Sequence, residues 1–272
     1  MNITLNDGRA IPQLGLGVFQ TPADVTAGIV AAALETGYRH IDTAAIYGNE
    51  AGVGQALAAA GVPRAEVFVT TKLWNDAQGY DSTLRAASES LKRLKLEYAD
   101  LYLIHWPSPR RGLYVETWRA MIELRKQGLV RSIGVSNFNA EHLERIIGET
   151  GVAPALNQVE LHPRFQQKAL REFHASHGIA TESWAPLGRA QFLADPVIAG
   201  IAAKHGRTPA QAVIRWHLDE GLIAIPKTAR RERLAENFDV FGFNLDAGDR
   251  AAIAALDRKD GRMGPDPMSA NF

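Results

Sequence analysis

The stretch VFVTTKLWNDAQGYDSTLRAASESLKRLKLEYADLYLIHWP, residues 67–107, decides how the rest of the chain is read. Residues 67–71 are β-branched or aromatic and predict a strand. Residues 82–94 are amphipathic at helical spacing. Residues 101–104, LYLI, predict a second strand. A strand, a helix and a strand within roughly 40 residues form the unit of a parallel sheet.

The same alternation runs outward in both directions. Toward the start, ITLNDGRAIP (residues 3–12) holds Asp7-Gly8 between two short extended runs and predicts a hairpin. A short strand at 14–17, a helix at 24–35 stopped by Gly37, a strand at 38–42 and a helix at 50–60 follow. Toward the end come a helix at 115–127, a strand at 130–135, a helix at 140–147 and a strand at 156–159. A helix at 168–177, a strand at 179–184 and a helix at 196–205 come next. Another helix opens with Thr208 as its cap and Pro209 in its first turn, before a strand at 222–225 and a helix at 231–239. The tail at 257–272 is rich in Gly, Pro and Asp and reads as loop.

Eight strands alternating with helices over 272 residues predict an α/β fold, a (β/α)8 TIM barrel with an N-terminal β-hairpin and a short C-terminal loop. Nothing resembling a linker divides the chain, so residues 1–272 are expected to form one barrel domain. The rival is an open doubly wound sheet, which calls for a phosphate loop after its first strand. The first strand gives GLGVFQ, without the G-x-G-x-x-G spacing.

Composition narrows the partners. Thirty basic and 30 acidic residues leave no net charge, which argues against a broad surface for nucleic acid or anionic membrane. No cysteine is present, which removes disulfides, thiolate nucleophiles and cysteine metal sites. No run of about 18 apolar residues predicts a membrane span. The start lacks the pattern of a signal peptide. A soluble, cytoplasmic protein is expected.

In such a barrel the active site lies where strands end at the carboxyl face. There the chain places Asp42 with Tyr47 five residues on, then Lys72, His105, Ser136-Asn137, Gln158, Trp184 and Lys227. Each residue alone has an ordinary structural explanation; gathered on one rim, they support proton transfer. A carboxylate beside a lysine keeps the ammonium charged, and the ammonium is expected to lower the tyrosine's pKa from about 10. A fall of about two to three units corresponds to about 3–4 kcal/mol. One ammonium at about 4 Å supplies ~4 kcal/mol at an effective dielectric of ~20, before desolvation. A neutral imidazole can orient a carbonyl oxygen. The group contains no nucleophile, so a hydride must come from elsewhere.

The runs GYRHIDTAAIYGNE, VFVTTKLW, DLYLIHWP, IGVSNF, NQVELHP and IPKTARRERLAEN resemble the aldo-keto reductases, in family order. LNDG, TTKLWND and TPAQAVIRWHL are most similar to the bacterial 2,5-diketo-D-gluconate reductases of that family. The resemblance implies a barrel that binds NADPH without a Rossmann domain and reduces aldehydes and ketones. It implies Tyr47 as general acid, tuned by Lys72 and Asp42, with His105 orienting the carbonyl. Ser136, Asn137 and Gln158 would hold the nicotinamide carboxamide, and Trp184 would stack on the ring. Pro186, Leu187 and Gly188 would lie near the pyrophosphate. Lys227, Thr228 and Arg233 would meet the 2′-phosphate, with Glu236 and Asn237 by the adenine. Phe19, Trp74, His105 and Trp106 would line the substrate pocket, with no metal, and the resemblance implies a monomer acting on a small carbonyl compound. Trp184 stands where many members have tyrosine, and Thr228 where many have serine. The C-terminal loop is short and unlike the others, which implies an open pocket. Two rival functions fit parts of the pattern: a Schiff-base aldolase barrel using Lys72, and a non-catalytic barrel that senses NADPH and regulates a partner.

Overall fold

Every residue of the strands Phe68–Leu73 and Ala99–Ile104 is buried, so each strand is covered on both faces. That is the condition of a parallel sheet lined by helices. The structure, a computed structural model, describes residues 1–270. The last two residues of the tail, read as loop, lie outside the described residues.

The chain opens with an antiparallel hairpin, β1 (Asn2–Thr4) and β2 (Ala10–Pro12). Then follow β3 (Leu16–Gly17), α1 (Ala23–Thr36), β4 (His40–Asp42), α2 (Glu50–Ala59), β5 (Phe68–Leu73), α3 (Tyr80–Leu94) and β6 (Ala99–Ile104). The second half holds α4 (Tyr114–Lys126), β7 (Val130–Ser136), α5 (Ala140–Thr150), β8 (Leu156–Glu160), α6 (Lys168–Ser176) and β9 (Ala180–Trp184). It ends with α7 (Pro196–Lys204), α8 (Pro209–Asp219), β10 (Ile223–Ala224), α9 (Arg231–Phe238) and α10 (Ala247–Ala254). The expected strands and helices are all present, with ends shifted by a few residues. α10 was not anticipated; Asp246 caps it, accepting from the Asp249 amide at 2.9 Å.

Eight strands, β3 to β10, pair in parallel in sequence order. Backbone bridges Leu14 to Ala224 and Gly17 to Lys227 join the two edges and close the barrel. The hairpin packs Leu5 and Ile11 against Phe68, Leu101, Leu156 and Ile223 from the barrel strands. This apolar plug stands near the beginnings of the strands. Polar side chains gather instead where the strands end. Among the described residues no helix is long and apolar enough to cross a membrane.

Helices clamp the barrel closely. A Cβ built on Gly54 of α2 would stand 2.1 Å from the carbonyl oxygen of Leu94, the last residue of α3. Backbone cannot yield as a side-chain tip does, so Gly54→Ala must push α2 off α3. We expect a loss of about 1–3 kcal/mol, read from the urea midpoint at unchanged slope. An unchanged midpoint would show slack between these helices.

Candidate active site

Tyr47 stands on a single helical turn, Ala45–Tyr47, directly after β4. Gly48, with φ 68°, ends that turn. The segment is anchored from below. Asn49 is fully buried, accepts from Thr43 Oγ1 at 2.8 Å and donates to the Val18 carbonyl at 2.9 Å. Glu50 accepts from Thr71 Oγ1 and from Arg93 Nε, each at 2.6 Å. Local sequence chemistry thus fixes where the phenol can be.

Lys72 lies in β5, one residue before its end, and its side chain is wholly buried. Its ammonium donates to Asp42 Oδ1 at 2.6 Å, to the Thr43 carbonyl at 2.9 Å and to Tyr47 Oη at 3.5 Å. These three acceptors match the three hydrogens of an ammonium. His105 follows β6, and its ring meets Tyr47 edge-on with centroids 5.7 Å apart. The acid, phenol, lysine and histidine predicted from sequence therefore converge.

Their protonation differs from expectation at one point. Burial works against the Lys72 charge, but Asp42 and Tyr47 outweigh it and raise its pKa. Burial, then the Lys72 charge, hold His105 well below the ordinary histidine value, so the imidazole is neutral. Tyr47 was expected to be acidified by Lys72. Burial instead raises its pKa; Lys72 pulls it back, while Asp42 and Glu182 push it further up. Desolvation of the phenolate exceeds the attraction of one ammonium whose charge is already shared with Asp42.

Beside this group lies a polar wall. Gln158 Nε2 donates to Asp42 Oδ2 at 2.9 Å. Ser136 Oγ donates to the Gln158 carbonyl at 2.8 Å. Asn137, at φ 62°, donates to the His105 carbonyl and to Ser136 Oγ, each at 3.0 Å. Its Oδ1 accepts from the indole Nε1 of Trp184 at 2.8 Å. Ser136, Asn137, Gln158 and Trp184 all line one cleft of about 760 Å³, with Tyr47, His105 and Asp42.

The cleft extends past Trp184 to Pro186, Leu187, Arg189, Pro226 and Lys227. Phe19, Trp74 and Trp106 line it as expected from sequence. Trp74 meets His105 edge-on at 5.1 Å, and Phe19 meets Tyr47 at 5.0 Å. Gly188 is buried behind this wall; a Cβ there would stand 1.8 Å from the Phe192 ring. Thr228 is buried and accepts from the Arg230 amide at 3.0 Å, shaping the turn into α9. Arg233 is exposed on α9. Glu236 accepts from Thr208 Oγ1 at 2.7 Å, which ties α9 to the start of α8, and Asn237 is buried. His174 and His177 do not converge on a metal: His174 bonds Asn157 and Thr181, while His177 stacks on Phe173.

Three features were not anticipated. Arg189 lines the cleft from a loop where Ala185, Arg189 and Ala190 all have positive φ. Glu182 of β9 sits behind Gln158 and accepts from its Nε2 at 2.8 Å; the signal was a charge on the same strand face as Trp184. The tail also reaches the site. Glu160 accepts from the amides of Met263 at 2.6 Å and Gly264 at 2.8 Å, and Pro265 lines the cleft. The short tail therefore supplies a wall rather than leaving that side bare.

Comparison with known proteins follows the same lines. The model of the aldo/keto reductase family matches residues 13–258. An aldo-keto reductase of Mycolicibacterium smegmatis is 58% identical over 270 residues, covering 99% of this chain and 98% of that protein. Methylglyoxal reductase DkgA of Escherichia coli K12 is 54% identical over 267 residues, 97% and 96% of the two chains. A crystal structure of a Gox0644 mutant in complex with NADPH superposes with a TM-score of 0.97 at 60% identity, covering 100% of this chain and 99% of that one. A closed parallel barrel, a convergent Asp-Tyr-Lys-His group and these matches have one explanation: the chain belongs to the aldo/keto reductase family.

Proposed function

We propose that this protein is an NADPH-dependent reductase of small aldehydes and ketones, with Tyr47 as the proton donor. One observation carries the reading. Lys72, locked against Asp42 at 2.6 Å, directs its third hydrogen at Tyr47 Oη beside a neutral His105, on the wall of an open cleft. When bound, the cofactor supplies the hydride.

The residues along the cleft fit such a cofactor. Trp184 offers a flat indole face held in plane by Asn137. Ser136, Asn137 and Gln158 offer polar groups for a carboxamide, which is the role we assign them. Arg189 and Lys227 are the cations lining the far end, and they suit a pyrophosphate. Pro186, Leu187 and Gly188 shape the turn next to them. We assign Thr228 and Arg233, at the start of α9, to the 2′-phosphate, since a helix N-terminus and a guanidinium both favour anions. Glu236 and Asn237 complete the adenine side.

The chemistry follows from the charges. His105 and Tyr47 Oη both direct a hydrogen at the substrate oxygen. A phenol with a raised pKa stays protonated throughout the neutral range and parts with its proton only as that oxygen becomes an alkoxide. The Lys72 ammonium then stabilises the phenolate left behind. Phe19, Trp74 and Trp106 keep water from the reacting atoms. Similar proteins carry the name methylglyoxal reductase DkgA, so we put methylglyoxal and other α-dicarbonyls first among the substrates to test; 2,5-diketo-D-gluconate and other keto-sugars belong in the same test. An aldolase mechanism is disfavoured, because Asp42 keeps the Lys72 amine charged and no free amine is offered to a carbonyl.

Tyr47→Phe is expected to lower kcat for methylglyoxal reduction by about 10²–10⁴-fold, with NADPH affinity retained, followed by loss of NADPH absorbance. Near-normal turnover would remove Tyr47 from the mechanism. Arg233→Ala is expected to raise KM for NADPH about tenfold or more while leaving KM for NADH little changed, the pattern for a lost charged hydrogen bond. Equal changes for both cofactors would show that Arg233 does not read the 2′-phosphate.

A further inference from the structure

Glu182 lies directly across the β8–β9 ladder from Gln158 and is fully buried. Its Oε2 accepts from Gln158 Nε2 at 2.8 Å, and the same nitrogen donates to Asp42 Oδ2 at 2.9 Å. An amide nitrogen has two hydrogens, and here both are engaged by carboxyl groups, that of Asp42 in the cleft lining and that of Glu182 behind Gln158. Gln158 therefore has one polar atom left for a ligand, its amide oxygen, which can only accept.

Glu182 also suits this place electrostatically. Among the described residues its Oε1 has no hydrogen-bond partner, and His40 Nε2 stands 3.6 Å away. Burial lowers His40 to about 3, so that ring is neutral. Burial, then the Asp42 charge, push Glu182 up to about 8, against the pull of Gln158 and Lys72. Burial raises Asp42 as well, against the pull of Lys72; protonated or not, Glu182 presents Gln158 with an accepting oxygen.

We propose that Glu182 is a positioning residue for the cofactor: by holding the second hydrogen of the Gln158 amide, it leaves only that amide's oxygen facing the cleft, and the site selects a pyridine ring whose 3-substituent donates a hydrogen bond. The inference rests on the reading that Gln158 meets the nicotinamide. Without Glu182 the second N–H is released, and Gln158 can turn to offer a donor.

The test compares binding of NADPH with binding of its reduced 3-acetylpyridine analogue, in which a methyl group replaces the carboxamide NH₂. Dissociation constants are read by quenching of tryptophan emission for the wild type, Glu182→Gln and Glu182→Leu. The wild type should prefer NADPH by about tenfold, the effect of one well-placed hydrogen bond. Glu182→Gln keeps an oxygen in place and should retain that preference. Glu182→Leu should reduce it to within about threefold. Equal binding of both cofactors by the wild type, or full preference in Glu182→Leu, overturns the proposal. If Glu182→Leu does not fold, the Gln158 side-chain amide resonances of the wild type decide. Two hydrogens protected from exchange support the proposal, and one exchanging at the solvent rate overturns it. Failure of the wild type to bind NADPH at all would overturn the cofactor reading and this proposal with it. Normal NADPH binding without discrimination overturns the Glu182 proposal alone.

Discussion

The ion pair between Lys72 and Asp42 is the constraint around which the open end of the barrel is arranged. Neither side chain reaches water, and their atoms stand 2.6 Å apart. Burying two charges costs several kcal/mol each, and the cost is offset only when geometry is good and the remaining hydrogens and lone pairs are used. Here they are used. Lys72 reaches Thr43 and Tyr47 as well, and Asp42 takes the Gln158 amide through its second oxygen. The β4–β5 register sets Asp42 beside Thr70, so that Lys72, two residues further along on the same strand face, is within side-chain reach of the carboxylate. A one-residue slip would turn Lys72 out of the barrel and leave Asp42 buried alone. The Asp42–Lys72–Tyr47 arrangement and the strand register are therefore the same structural fact.

That constraint also explains why the tyrosine is not acidified. A lone ammonium near a phenol favours phenolate; one already paired with a carboxylate does so less, because the carboxylate repels the phenolate and offsets part of that pull. Burial then decides the sign. The pair's contribution is to limit the rise in Tyr47 and to hold the ring in place, with the ammonium 5.1 Å from its centroid. In the role we propose for it, a phenol of this kind suits an oxygen that becomes strongly basic only after it has gained electrons, and it does not leak its proton to solvent beforehand.

Strands and helices were legible because the strands carry apolar or β-branched runs such as residues 67–71 and 101–104, and because a glycine such as Gly37 marks a helix end in the left-handed conformation. The four converging residues were legible from chain position: each follows or ends a strand, and a barrel brings strand ends together. Other features depended on contacts distant in sequence. Glu182 joins the site through Gln158, 24 residues away, and Glu160 holds the tail across 104 residues. Glu236 reads as a surface charge beside the cofactor, yet it bonds the cap of a helix 28 residues earlier. Arg189 lies in a loop whose positive φ angles belong to ordinary residues and leave no compositional mark.

The tail and the Trp184 ring are best understood together. Asn137 holds one edge of the indole through Nε1, a bond that a tyrosine ring at this position has no nitrogen to make. On another side Gly264 lies so close that a Cβ would stand 2.6 Å from the ring and 2.9 Å from Glu160 Oε2. Only a residue without a side chain can pass there while donating its amide to that carboxylate at 2.8 Å. Burial would raise the pKa of Glu160, but hydrogen bonds from His162, Met263 and Gly264 outweigh it and lower the value, so the acceptor stays charged. A charged acceptor makes the stronger bond, which fixes the tail, and the tail in turn limits the tilt of the indole. Trp184 and the short, glycine-bearing tail are thus two halves of one packing solution, in which a large ring is held at the cleft by backbone instead of by further side chains.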